Sequence, residues 1–141
     1  VIIAHIRDRI SGRIGAMKVL MALAIAALAL PAAARAQLAD PARGEEIFDE
    51  CSGCHSIEAG TNRYGPSLHA VVGRRSGAIG DFDYSDAMRA SRLVWTEAML
   101  DRWLANPRAL VPGTRMDFPG MPQRQDRRDV IAYLETAGSA P

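Results

Sequence analysis

Two cysteines stand three positions apart and are followed at once by a histidine: Cys51-Ser52-Gly53-Cys54-His55. On one turn of helix both thiols face the same side. They can add to the two vinyl groups along one edge of a haem while the adjoining imidazole points at the iron, which is the attachment signature of a c-type haem. One haem c, covalent through Cys51 and Cys54, is therefore expected, with His55 on its iron. Three other chemistries fit less well. A redox dithiol of the thioredoxin kind belongs at a strand-to-helix turn, and no strand pattern precedes Cys51. Zinc needs four ligands, or three and a water, and beyond residue 36 the softer donors are only Cys51, Cys54, His55 and His69. A disulfide across two intervening residues would close a small strained loop.

A single haem leaves the opposite face of the iron to be filled, and His69 and the methionines 88, 99, 116 and 121 are candidates. Met99 shares a helical face with Leu100 and Trp103, where methionine is usually core filler. Met88 falls in a short helix and packs. His69 follows Pro66 on the side of the chain leaving His55 and reads as a loop histidine bonded to backbone. Met116 follows Pro112-Gly113-Thr114-Arg115, a loop between proline stops that holds a thioether at fixed distance, and it is preferred, with Met121 in Pro-Gly-Met-Pro second. A thioether favours ferrous iron, so the potential should be high, and a six-coordinate iron transfers electrons rather than handling oxygen.

The elements that position these residues lie beyond an N-terminal stretch of another kind. From Val19 to Leu30 every residue is apolar, preceded by Lys18 and followed by Pro31-Ala32-Ala33-Ala34-Arg35-Ala36. This is the pattern of a secretory signal peptide, with Met17 as a natural start, residues 1–16 as an upstream extension and cleavage after Ala36. Pro31 interrupts the run before the roughly 20 residues of a membrane span, so an uncleaved anchor is the minority reading, and His5 is discounted as a ligand. The whole chain has 141 residues, 48% hydrophobic, 6% aromatic and a formal charge of +1. Residues 37–141 carry 12 arginines against 15 carboxylates and no lysine. That mildly acidic balance gives no support to nucleic-acid binding.

Within 37–141, Asp40-Pro41 is an N-cap followed by proline at the first helical position, predicting a helix over about 41–50 with Gly44, Ile47 and Phe48 on its packing face. A long irregular stretch punctuated by glycine follows, to about Tyr84. A short helix is expected over 85–90. Another starts at Thr96, presents Met99, Leu100, Trp103 and Leu104, and stops at Pro107. The last runs over about 123–137, with Val130, Ile131, Tyr133 and Leu134, and Gly138 as its stop. The fold is all-α, four to five helices with long loops. Loops near half of such a domain bury too little apolar surface against an ordering cost of about 1–2 kcal/mol per residue. An apolar group that is not protein should fill the centre.

The ordered set Gly44 with Ile47-Phe48, Cys51-x-x-Cys54-His55, Gly65-Pro66-x-Leu68-His69, Gly73-Arg74-x-x-Gly77, Phe82-x-Tyr84-x-Asp86-Ala87, Trp95, Asn106-Pro107, Pro112-Gly113-Thr114-Arg115-Met116-x-Phe118 and Ile131-Ala132-Tyr133-Leu134 resembles the class I, mitochondrial-type soluble cytochromes c, close to the bacterial high-potential members. The resemblance implies the small cytochrome c fold wrapped around one haem, with His55 and Met116 axial. It implies that the Pro66 carbonyl accepts the second imidazole proton, that Tyr84 and Trp95 donate to a buried propionate whose charge Arg74 offsets, and that Thr114 bonds nearby. It places Trp103 on the distal face, where most relatives have tyrosine, and Met88 at a neighbouring asparagine position. Both departures remove hydrogen-bonding reach toward the methionine sulfur. The lysine-rich rim of the family is thinned, with Glu50 ahead of the first cysteine and Arg108 and Arg115 near the methionine loop.

The implied function is that of a monomeric periplasmic electron carrier, not an enzyme, running between a quinol–cytochrome c reductase and an oxidase, reaction centre or reductase. A membrane-anchored or dehydrogenase-associated module is the alternative. A peroxidase-like haem enzyme would need an open iron and a nearby acid or base.

Overall fold

The structure is a computed structural model and describes residues 38–137. The expectations for the leader, the Met17 start and the cleavage after Ala36 lie outside these residues, as does Gly138. The described elements are five helices: α1 (Pro41–Ser52), α2 (Asp86–Ser91), α3 (Glu97–Ala105), α4 (Pro107–Leu110) and α5 (Arg124–Ala137). Pairing of the strand kind is confined, among the described residues, to one bridge between Arg75 and Val94. No described helix is long and apolar enough to cross a membrane.

The first four helices each begin where a short polar side chain satisfies free amides. The Asp40 carboxylate accepts from Ala42 N at 3.0 Å and Arg43 N at 3.3 Å, with Pro41 behind it. Ser85 accepts from Met88 N and Thr96 from Met99 N, both at 3.2 Å. The expected stop ahead of Pro107 is found, with α3 ending at Ala105, and a short further turn that was not expected follows it. Asn106 accepts from Ala109 N at 3.0 Å and Pro107 opens α4, so the residue that ends α3 also starts a further turn. Asn-Pro here repeats the signal of Asp40-Pro41.

Helices α1 and α5 cross at Gly44. A β-carbon there would lie 2.1 Å from the Asp129 carbonyl oxygen and 2.9 Å from Tyr133 Cβ, so the two backbones touch at a place where only hydrogen fits. One turn on, the Phe48 and Tyr133 rings meet at 5.4 Å. A buried carboxylate fastens the same crossing: Asp129 accepts from Asp40 N at 2.9 Å, Gln125 Nε2 at 2.8 Å and Arg43 Nη1 at 2.5 Å. Burial works to raise the Asp129 pKa, but these three donors outweigh it and hold the group below the usual carboxylate range. Arg127, also buried, ties the start of α5 to α3 through Asp101 at 2.8 Å and to the Met121 carbonyl at 2.8 Å. Leu100, Trp103, Leu104, Val130, Ile131 and Leu134 complete this side of the core.

Between α1 and α2 the chain from 53 to 85 has no helix and is held by single ties. Leu68 N donates to Ser56 O at 2.7 Å, Ser67 Oγ to Glu58 O at 2.6 Å, Gly73 N to Trp95 O and Trp95 N to Arg74 O, both at 2.9 Å. These ties close the long loop back on itself and onto the segment ahead of α3.

Candidate functional site

The Cys51-x-x-Cys54-His55 motif spans the C-terminal end of α1, with Cys51 on the helix and Cys54 and His55 on the turn that follows it. The amides of Cys54 and His55 both donate to the Cys51 carbonyl, at 3.0 and 2.9 Å, which continues the turn and brings the two sulfur-bearing residues together. Both cysteines are free; Cys51 is half-buried and Cys54 exposed. Burial pushes the Cys51 thiol up to about 11, with Glu50 and Cys54 adding to it. It is a protonated thiol at neutral pH, the opposite of the activated thiolate a redox dithiol uses. No group of three His, Cys, Asp or Glu side chains that could hold a metal ion is gathered among the described residues.

His55 is fixed by its neighbours from the opposite loop. Its Nδ1–H donates to the Pro66 carbonyl at 2.8 Å. Gly65 lies against the ring so closely that a β-carbon would sit 2.3 Å from Cε1. Gly65 N bonds Cys54 O at 2.8 Å, and Arg63 Nη1 reaches the Ser52 carbonyl at 2.5 Å, so loop 63–66 is stitched to the motif at three points. Burial lowers the His55 pKa and the Arg74 charge lowers it further, against the Pro66 bond that raises it. The ring is neutral at pH 7, with Nδ1 as donor and the lone pair on Nε2, the form in which imidazole ligates a metal.

Arg74 offers a second sign. Its Nη1 and Nη2 donate to the carbonyls of His69 and Ser67 at 2.8 and 2.7 Å. Its Nε is buried without a hydrogen-bond partner, and among the described residues no carboxylate pairs with the guanidinium. Burial depresses its pKa, with Tyr84 acting the other way. A half-buried cation with an orphaned donor marks the place of an anionic group. Tyr84 and Trp95 are both buried, and the Trp95 amide is bonded to the Arg74 carbonyl. Trp95 and Trp103 are in tilted contact, ring centroids 5.3 Å apart.

The methionines differ in their surroundings. Met88 and Met121 are buried within the core cluster, and Met99 is half-buried against it. Met116 stands in the irregular stretch between α4 and α5, half-buried, with its amide donating to Thr114 Oγ1 at 3.3 Å. Thr114 thus acts locally, on the methionine's own backbone. His69 Nδ1 bonds the Ile57 carbonyl at 3.2 Å, the loop role assigned to it.

Sequence reasoning missed the state of the arginines near the methionine. Arg115 is paired with Asp83 and Arg108 with Asp117, so the charge expected there is largely compensated. The partners lie 32 and 9 positions away in the chain, and nothing local to the arginines points to them.

The donor set, the neutral imidazole, the thiols on one turn and the orphaned guanidinium all fit a covalently held haem with a propionate near Arg74. The comparisons agree. The cytochrome c family pattern matches residues 41–138. The chain is 48% identical over 98 residues to a cytochrome c2 of Rhodomicrobium vannielii, covering 69% of this chain and 78% of that one. It is 46% identical over 98 residues to a cytochrome c2 of Rhodopila globiformis, covering 69% and 92%. Among solved structures, cytochrome cH from Methylobacterium extorquens is similar with a TM-score of 0.66 at 44% identity, covering 69% of this chain and 98% of that one. The chain belongs to the cytochrome c family, whose members carry electrons on a covalently attached haem c and are not enzymes.

Proposed function

We propose that this cytochrome c is a periplasmic shuttle for single electrons, in which Cys51 and Cys54 carry the thioether bonds and His55 and Met116 are the axial ligands. Bound there, the haem supplies a one-electron ferric–ferrous couple. The observation that carries the reading is His55, neutral and held at Nδ1 by Pro66, directly after one thiol on the last turn of α1 and a second on the turn that continues it. Pro66 fixes the ring orientation, so the imidazole has little freedom to rotate when charge at the site changes. Arg74, Tyr84 and Trp95 line the position of a propionate, with Arg74 offsetting its charge. Thr114 steadies the backbone of Met116, and Trp103 covers the distal side against Trp95.

The donor and acceptor belong to membrane redox complexes, a quinol-oxidising reductase on one side and an oxidase, reaction centre or reductase on the other. Residues 1–36 are an extension and leader removed after Ala36, and residues 37–141 are the working domain, a monomer. Optical spectra of the periplasmic fraction test the reading. Haem that survives acid–acetone extraction, with a methionine-to-ferric-iron band that disappears in Met116→Ala, is the expected result. Extractable haem refutes the attachment, and a band retained in Met116→Ala refutes the axial assignment. N-terminal sequencing that begins at Val19 or earlier would replace the shuttle with an anchored form.

A further inference from the structure

Met116 is thinly held by its own backbone. Thr114 N donates to Val111 O at 3.0 Å and Met116 N to the Thr114 hydroxyl, and the next backbone tie downstream is Met121 N to Leu104 O at 2.7 Å. Along this stretch burial alternates. Thr114, Met116 and Phe118 are half-buried while Arg115 and Asp117 are exposed, so the methionine faces inward and both neighbours face out, as in extended chain.

Those neighbours carry opposite charges and are drawn onto different elements. Arg115 Nη1 meets Asp83 Oδ2 at 3.1 Å, and its Nη2 donates to the Asp83 backbone carbonyl. The other Asp83 oxygen accepts from Arg89 at 3.4 Å, and Arg89 in turn holds Asp86 at 2.8 Å, so Asp83 is itself anchored to α2. On the far side, Asp117 Oδ1 accepts from Arg108 of α4 at 2.7 Å. Gly113, with φ of +90°, rests against α2, where a β-carbon would be 3.2 Å from Ala87 Cβ.

We propose that Arg115 and Asp117 are positioning residues for Met116, forming two ion-pair clasps, one to Asp83 and one to Arg108, that hold segment 113–118 shut and set how often the thioether swings away. This rests on Met116 being the axial ligand. The two clasps share no partner, but they hold the same short segment, so their effects are coupled through its backbone. Both are exposed, which makes each worth about threefold in the opening equilibrium and leaves both open to screening. Raising salt from about 0.01 M to about 1 M shortens the screening length from about 30 Å to about 3 Å, enough to loosen both.

The test is stopped-flow mixing of the ferric holoprotein with saturating imidazole, following loss of the methionine-to-iron band. The limiting rate reads loop opening. In the wild type it should rise with salt. Arg115→Gln and Asp117→Asn should each raise it about threefold at low salt and shrink the salt effect. The exchanged pair Arg108→Asp with Asp117→Arg should restore the wild-type rate. Amide hydrogen exchange of residues 113–118, which needs no axial methionine, should accelerate in the same single variants while the thermal midpoint stays put. Equal limiting rates at both salt concentrations and in all variants would overturn the clasps, as would an exchanged pair as fast as Asp117→Asn. If Met116→Ala keeps the band, the axial assignment fails instead, and the exchange data still decide whether the clasps hold the loop.

Discussion

Gly44→Ala isolates the tightest glycine contact among the described residues, and there local preference and packing predict opposite signs. In the interior of a helix alanine is favoured over glycine by about 1 kcal/mol. The new methyl, however, would sit 2.1 Å from the Asp129 carbonyl oxygen and 2.6 Å from its carbonyl carbon, both backbone atoms of α5. Reaching an ordinary contact of about 3.5 Å requires α1 and α5 to part by roughly 1.4 Å. That movement also pulls on the Phe48–Tyr133 ring contact and on the Arg43 bond to Asp129. Overpacking of this kind costs about 1–3 kcal/mol, and with backbone as the obstacle the upper end applies. A net loss of about 2 kcal/mol remains after the alanine preference, a fall in midpoint of about 10 °C for a domain of this size. Thermal and urea unfolding of the holoprotein measure it. Gly53→Ala is the control, since a β-carbon there meets nothing within 4 Å and φ is −60°; it should be neutral or slightly stabilising. If Gly44→Ala is as stable as the wild type, the helices are not in contact as described and the crossing argument fails.

Other consequences are open to measurement. Asp129 has a pKa below the ordinary carboxylate value of about 3.9, so its stabilisation is complete above that value and is lost as pH falls through the lower folded value; Asp129→Asn should cost about 2 kcal/mol at pH 7 and progressively less in acid, and parallel urea-stability curves at every pH would contradict this. Arg74→Gln removes a half-buried cation beside the proposed propionate and should lower the midpoint potential, because positive charge disfavours the ferric state; voltammetry showing no change or a rise counts against that placement. Trp103→Tyr should alter the potential or the pH at which the methionine band is lost, and identity of both with wild type would show that the tryptophan substitution is silent. With Arg115 and Arg108 already paired, the association rate with a redox partner should fall less steeply with ionic strength than that of a lysine-rich relative; an equal slope in stopped-flow kinetics would show that the intramolecular pairs do not matter.

What could be read in the sequence was whatever chemistry writes locally. Caps are local, so Asp40-Pro41 and Thr96 placed the starts of α1 and α3 to within a residue, while the cap at Ser85 was not recognised although the short helix was placed. Asn106-Pro107 was read correctly as the end of α3, but the turn it opens was missed, because proline ends one helix and opens another by the same property, its missing amide proton. The motif at 51–55 was legible because attachment needs that spacing. Buried charge was not. Arg127 stands at i−3, i−4 and i−7 to Val130, Ile131 and Leu134, on their own face, where a guanidinium is not expected, and Asp129 lies on the opposite face of the same helix. They are buried because Asp101, Arg43 and the free amide of Asp40 approach from other elements. The pairs Arg115–Asp83 and Arg108–Asp117 escaped for the same reason, being products of loops that meet only in the fold.

The two proposed axial residues are held in unlike ways, and this bears on which side of the iron can change. His55 follows covalently attached cysteines, is bonded at Nδ1, and is packed flat by Gly65 on a loop stitched to the motif by Arg63 and by the Cys54 carbonyl. Displacing it requires breaking buried contacts together. Met116 is half-buried against the core with Phe118, and its segment is otherwise held by one bond to Thr114 and by surface pairs that solvent and ions reach. Exposed pairs are weak and screened by salt whereas buried packed contacts are not, so opening is expected first on the methionine side. The asymmetry suits a carrier: a fixed imidazole keeps rearrangement on electron transfer small, and the weaker side decides whether small ligands enter. Variants that strengthen the Met116 clasps should therefore slow imidazole entry without changing overall stability. Variants at Gly65 or Pro66 should lower stability first, and an entry rate as sensitive to Gly65→Ala as to Arg115→Gln, at unchanged stability, would show that the two sides are not distinguished in this way.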